Sequence, residues 1–357
     1  MIQKIKQVFS FLFCVLWVIQ ITACGTASSD KSFSPVNIEV QGEGIVIVRE
    51  SDLERMGTTF PENGDLKVKR LGVEIPAWKL ELQGAGVERS IAFYHSPSHS
   101  RYTTVDTYQL VSSPESMPTL LPMPPGFGAA ATAVQTWIRL EEDNIYEPLS
   151  TSETKYLWET LTDQKPFQIS FSLEGLKEES PTSLRMSVRK RGAIDRHAIE
   201  VQLNGLKIEE YSWQGSPEAE INIMIPPTAF AEEDNLIEIS LTGDDAEKMV
   251  VDVDWLEVYY YQETIPGSSF LKWQTEKTSQ NIGGWQGLTI TLPVTEGEGW
   301  ISQAGPTGVV SYPTTPGSVY VTADESGWKY PRLLRPIHTT DSLERGFSGA
   351  DYIIIAP

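Results

Sequence analysis

Few side chains in this 357-residue sequence are placed to do chemistry, and the thiols are the first to consider. Cys14 and Cys24 are the two cysteines, and both precede residue 25. The rest of the chain therefore offers no disulfide, no thiol nucleophile and no thiolate metal site. His95-x-x-x-His99 has the spacing that puts two imidazoles on one face of a helix. Pro97 lies between them and forbids an ordinary helix, so only a loop site with further ligands would serve. His197 and His338 stand alone. Asp252 and Asp254 are spaced to point both carboxylates to one face of a strand. One reading is a calcium site, with Asp244 or Asp245 helping. The other is a polar outer face opposite Val251, Val253 and Trp255. Hard cations take six or more oxygens; few can be named here, which favours the polar face. Among ten tryptophans, Trp213, Trp273, Trp285 and Trp300 sit in or near loop-like stretches. Such rings can stack on sugars, with Trp213 the candidate binding residue, but aromatics more often bury as packing anchors. No G-x-S-x-G, H-E-x-x-H or G-x-x-x-x-G-K motif is present.

The elements that must carry these residues are strands. From Leu184 to Tyr261 apolar residues alternate with polar ones in run after run. Leu184, Met186 and Val188 form one set, Ile199, Val201 and Leu203 the next. Asn204-Gly205 then predicts a two-residue hairpin, because both residues tolerate positive φ. Ile221, Ile223 and Ile225 stop at Pro226-Pro227; Ile237, Ile239 and Leu241 stop at Gly243; Val250 to Tyr261 closes the series. Period-2 patterning at this density predicts an antiparallel β-sandwich, each strand with one buried and one wet face. Upstream, strands are expected at 44–48, 66–69, 73–75 and 91–94. A short helix is expected from Ser51, with Glu54 closing a capping box and Gly57 as its stop.

The division expected is a leader at 1–23, a tether at 24–35, and a small β-rich module at 36–112. A Pro/Ala/Gly linker follows at 113–135, then a jelly-roll or galactose-binding-like sandwich at 136–262 and a third β-rich or linker segment at 263–348. The fold class is mainly β. Residues 349–357 differ in kind, because Tyr352-Ile353-Ile354-Ile355 does not alternate and reads as a strand buried on both faces. The formal charge of −20 becomes −22 without Lys4 and Lys6 of the leader. That charge opposes binding to nucleic acid and electrostatic adhesion to anionic membranes.

Lys4 and Lys6 followed by the apolar run Val8–Ile21 form a targeting segment. Ile21-Thr22-Ala23-Cys24 resembles the lipobox of bacterial lipoproteins. The resemblance implies cleavage before Cys24, acylation of that residue, and a chain held at a membrane of the cell envelope, the outer one if the cell has it. A plain secretory signal is the alternative.

Four stretches in order resemble the N-terminal part of gingipain-type cysteine peptidases, bacterial relatives of the caspases. They are Glu43–Gly57 (EGIVIVRESDLERMG), Phe93–Leu110 (FYHSPSHSRYTTVDTYQL), the KYLWETL-to-VDVDWLEVYY sandwich, and Gly349–Pro357 (GADYIIIAP). His95 stands where the family has glycine, Asp106 where it has asparagine, and Gln109 where it has tryptophan. Trp158 and Trp255 match family positions, which implies core roles. The family's catalytic histidine and cysteine follow its counterpart of Gly349–Pro357, so no catalytic residue carries over. The resemblance implies a non-catalytic pro-region or accessory part that docks on a caspase-like peptidase domain, in cis or in trans. The competing expectation, from another class, is a surface carbohydrate-binding lipoprotein, calcium-assisted through Asp252 and Asp254.

Overall fold

A computed structural model describes residues 33–334, except for 62–64, 84–86, 98–103, 125–128, 149–154, 192–193, 265–268 and 305–307. Cys24, His99, His338 and the Tyr352–Ile355 run therefore lie outside the described residues. In chain order the strands begin with β1 (Val36–Gln41) and β2 (Gly44–Arg49), followed by helix α1 (Glu50–Arg55). Next come β3 (Asp65–Arg70), β4 (Val73–Ile75), β5 (Ala77–Gln83), β6 (Val87–His95), β7 (Val105–Ser113) and β8 (Leu121–Met123). The middle of the chain gives β9 (Ala133–Glu141), β10 (Ile145–Tyr146), β11 (Tyr156–Leu157), β12 (Glu159–Leu161), β13 (Phe167–Phe171) and β14 (Thr182–Arg191). It continues through β15 (Arg196–Leu203), β16 (Leu206–Gln214), β17 (Glu218–Ile225), β18 (Asn235–Leu241) and β19 (Val250–Glu263). The last group is β20 (Phe270–Gln274), β21 (Ser279–Ile282), β22 (Leu288–Pro293), β23 (Trp300–Gln303), β24 (Val310–Pro313), β25 (Val319–Asp324) and β26 (Arg332–Leu334).

The predicted sandwich forms. Sheet β13-β18-β15-β16 faces the β17-β14-β19 part of a larger sheet, and almost every pairing is antiparallel. The alternating residues named above meet in one core: Leu184, Met186, Ile199, Val201, Ile221, Ile223, Ile237 and Ile239 are all buried. Asn204 (φ 52°) and Gly205 (φ 77°) make the turn between β15 and β16, as their types require. Asn204 also accepts from the Leu236 amide (2.8 Å) and donates to the Ala229 carbonyl (3.0 Å), tying the hairpin to β18.

Beyond the sandwich the large sheet continues as β19-β9-β20-β25-β22-β23-β8. One face of this extension packs on the first module: Ile290, Leu292, Val321 and Ala323 meet Ile45, Ile47, Trp78, Leu80 and Ala92. Its other face holds Trp273, Trp285, Trp300, Tyr312 and Tyr320 with the β21–β24 ribbon. Segments more than 200 positions apart thus share one core, and the described residues from Ser34 on form one compact unit. Within the stretch expected as a linker, Met117 and Leu120 are buried and β8 pairs with β23. Gly299 makes room for this: a Cβ there would sit 2.6 Å from Leu120 Cδ2 and 3.1 Å from the Trp78 indole nitrogen.

One local expectation is corrected. Helix α1 starts at Glu50, and no side chain caps it, so the Ser51–Glu54 box does not form. The carboxylate of Glu88, from β6, accepts the Ser51 amide (3.1 Å) instead and supplies the same acceptor from a distance. Gly57 ends the turn at φ 82°, as its type predicts.

Candidate functional site

The densest group of functional side chains lies on the outer face of β9, β14 and β19. Strand β19 breaks its own alternation. Val251 and Val253 face the sandwich core, yet so do Leu256 and Val258. The pairing of β14 with β19 shifts between Ser187 and Val188, where Ser187 opposes Trp255 and Val188 opposes Val253. Asp254 is the extra residue of a β-bulge, and it turns Trp255 to the outer face. Trp255 is buried, as expected, but beneath polar side chains on the outer face and not within the sandwich core cluster. It lies under two guanidinium groups, Arg139 at 4.4 Å and Arg185 at 5.4 Å from its ring, and keeps only 9% of its surface exposed. Cation–π contacts of this kind gain when the ring is shielded from water.

The neighbours extend the pattern. Arg139 pairs with Glu141 (2.7 Å) and Glu257 (3.0 Å), and Arg185 pairs with Glu220 (2.6 Å). Tyr259 donates to Glu257 (2.9 Å) and stacks on Trp137 at 5.7 Å. Lys272 lies over Trp137 (4.7 Å) and reaches Glu43 (3.0 Å), which links this face to the first module. Tyr94 donates to the same Glu43.

The structure uses Asp252 and Asp254 differently. Asp252 is fully buried. It accepts from Thr160 Oγ1 (2.7 Å) and from Arg191, with Arg189 at 3.6 Å. Arg189 and Arg191 also hold Glu147. Asp254 keeps 7% exposure, and burial followed by the nearby Glu141 carboxylate pushes its carboxyl up to about 6. A group leaning toward its protonated form and a carboxylate already held by arginine are poor oxygen donors for calcium. Among the described residues no three His, Cys, Asp or Glu side chains gather as a metal site.

The remaining candidates are packed. His95 is buried; its Nδ1 lies 2.6 Å from the Tyr108 hydroxyl and its Nε2 3.7 Å from Asp106. Burial lowers it to about 4. His197 is buried against Trp213, ring centres 5.5 Å apart. Trp213, Trp273, Trp285 and Trp300 are all under 9% exposed, so none presents an open ring face for stacking on a sugar. Trp158 is in the sandwich core, as its matched position implied.

Sequence reasoning missed Trp137, Arg139, Arg185, Glu257 and Tyr259. The signal was present: the outward half of β9 reads Gln135, Trp137, Arg139, Glu141, aromatic and charged where a plain wet face would be small and polar. Arginine, tryptophan and tyrosine are the residue types enriched at the energetic centres of protein interfaces.

These features define a mainly-β protein built on an antiparallel sandwich. No family model matches the chain, and no curated protein matches it. Among solved structures, dimeric latent PorU from Porphyromonas gingivalis shares the fold. The TM-score is 0.62 at 12% identity, over 85% of this chain and 33% of that one. The chain thus spans about a third of the length of that protein. The CBM36-1 domain of a multidomain xylanase from the hindgut metagenome of Trinervitermes trinervoides overlaps 34% of this chain and 96% of its own, at 11% identity and TM-score 0.26. CBM36 in complex with calcium and xylotriose overlaps 34% of this chain and 98% of its own, at 14% identity and TM-score 0.25. Those two overlaps carry no functional argument.

Proposed function

We propose that this chain is a non-catalytic accessory region of the gingipain-type peptidase class, anchored by lipid at Cys24. In this reading it docks on a caspase-like peptidase domain, in cis or in trans, and restrains it. The observation that carries the reading is the fold shared over 85% of the chain with one third of latent PorU, a gingipain-related protein. The sequence resemblance to gingipain-type N-terminal regions supports it independently. The docking surface is the outer face around Trp255, where Arg139, Arg185, Trp137 and Tyr259 supply interface-type side chains on rigid strands.

The test mixes the chain from Ser34 onward with the recombinant catalytic domain of PorU. Binding is read by calorimetry and restraint by casein hydrolysis. The expected result is saturable binding that slows hydrolysis, weakened at least roughly tenfold by Arg185→Glu, since like charge at an interface costs on the order of 1.4 kcal/mol or more. Absence of binding would overturn the reading. So would hydrolysis of casein by this chain alone that a cysteine-protease inhibitor abolishes. Anchoring is tested separately: radiolabelled palmitate fed to expressing cells should enter the chain and should not enter Cys24→Ala.

A further inference from the structure

The three-stranded sheet β2-β6-β5 takes in extended chain at both edges. At the β2 edge, Lys329 donates to the Ile45 carbonyl (2.8 Å) and accepts from the Ile47 amide (2.8 Å), in parallel. At the β5 edge, Lys79 donates to the Pro118 carbonyl (2.8 Å) and accepts from the Leu120 amide (2.9 Å), again in parallel. Neither guest is part of a hairpin with its host. Each is a remote segment laid along an open edge.

The β5 edge is only partly used. Successive outward-facing residues on a strand are two apart. Lys79 spends its outward amide and carbonyl on the guest, and Glu81 is next in register. Continued pairing would need a donor at residue 122, and that residue is proline. The guest therefore leaves: Leu121 donates to Gly299 (2.9 Å), and β8 joins β23. Glu81 is left with its side chain exposed. Among the described residues no backbone bond reaches its outward edge.

A cavity of about 460 Å³ opens where the two strands part, lined by Leu80, Glu81, Ser90, Leu120, Pro122 and Ile301 among others. Ser90 is 1% exposed, and its hydroxyl has no hydrogen-bond partner. Leaving a buried hydroxyl unpaired costs about 1–3 kcal/mol, so an unpaired one lining a cavity marks a place for a ligand atom.

We propose that this groove captures an extended segment of a partner polypeptide. The segment adds to β5 at Glu81 as a strand and sends one side chain, apolar along its stem, into the cavity toward Ser90. Strand addition of this type draws affinity from main-chain bonds and selectivity from the side-chain pocket. The occupant is argued from what this sheet already does: it holds two extended segments in the same parallel manner, and the free register is the direct continuation of one of them. The proposal is independent of the peptidase-docking reading and uses a different part of the surface.

The experiment uses the chain from Ser34 onward and an array of fluorescent heptapeptides, acetyl-Thr-Lys-Thr-X-Thr-Lys-Thr-amide, with X varied through the natural amino acids. Anisotropy is expected to show saturable binding for a subset of X with apolar stems. Glu81→Pro, which removes the outward amide and spares the β5–β6 ladder, should weaken it roughly tenfold. Glu81→Ala, which keeps the amide, should bind as the parent does. Ser90→Ala should blur the preference for X. Methylating alternate amide nitrogens of the best peptide should abolish binding to the unaltered protein, a result that does not depend on how the variants fold. No saturable binding for any X overturns the proposal. So does undiminished binding of the methylated peptide, or an equal loss in Glu81→Ala and Glu81→Pro.

Discussion

Asp254 offers the sharpest physical test. It is the inserted residue of the β19 bulge, 7% exposed, beside Glu141. Burial and that neighbouring carboxylate raise its carboxyl from 3.8 to about 6, against the pull of Arg139, Ser187 and Arg189. A carboxyl with a raised folded-state pKa binds its proton more tightly in the folded protein than in the unfolded chain. Its stabilisation is complete below 3.8 and is lost as the pH rises through about 6. At 1.36 kcal/mol per pH unit, the folded protein carries a cost of about 3 kcal/mol at pH 8 for keeping this group ionised. Asp254→Asn keeps the shape and removes the titration. The measurement is urea unfolding followed by tryptophan fluorescence at pH 4, 6 and 8, with Trp255 adjacent as a reporter. The variant should be more stable than the parent at pH 8 by up to about 3 kcal/mol, and the gap should close toward zero at pH 4. A gap that does not change with pH, or a variant less stable than the parent at pH 8, refutes the reasoning.

Three further outcomes follow from the same geometry. His197 is buried on Trp213, and burial, then Lys190, lowers its pKa below 6.5. The stability tied to its neutral form is present above 6.5 and lost as the pH falls below it, so His197→Phe should flatten the acid side of the stability curve. Asp252→Ala removes the buried acceptor of Thr160 and Arg191 while Glu147 still holds both arginines; it should cost about 1–3 kcal/mol in denaturant titrations at neutral pH. Gly327→Ala would place a methyl 1.9 Å from the Ser269 carbonyl oxygen, so the backbone must move, and a loss of about 1–3 kcal/mol should appear as a lowered Tm.

The sandwich was legible because its information is local. A strand such as β17 writes its buried face into every second residue, and Asn204-Gly205 writes the turn into two adjacent ones. The second core was not legible, since Ile47 and Leu292 carry no local mark of being neighbours. The same distance effect defeated the capping box: the acceptor for the Ser51 amide is Glu88, on another strand. Trp213 stood in a polar run, Ser212-Trp213-Gln214-Gly215, that reads as a loop, while in the fold it is the one inward position near the end of β16. The burial of Trp255 was legible but its face was not, because one inserted residue, Asp254, reverses the parity of everything after it, and period-2 reasoning has no term for that. The lipidation expected at Cys24 lies outside the described residues.

The register of β1 with β26 sets how this protein bears a load. Asn37 lies opposite Leu334, and Glu39 opposite Arg332. Residues 36 and 334 therefore lie side by side, at the same end of one antiparallel pair. A pull applied through residues 36 and 334 meets the rungs of that pair one at a time, as in a zipper, and not all together, as in a shear joint. Such a pull first peels away the three paired residues of β26, which belong to a different sheet from the sandwich strands β13–β19. In optical tweezers this appears as a small, low-force extension before any cooperative rupture. The Trp255 face lies on another sheet and takes no part in that first step.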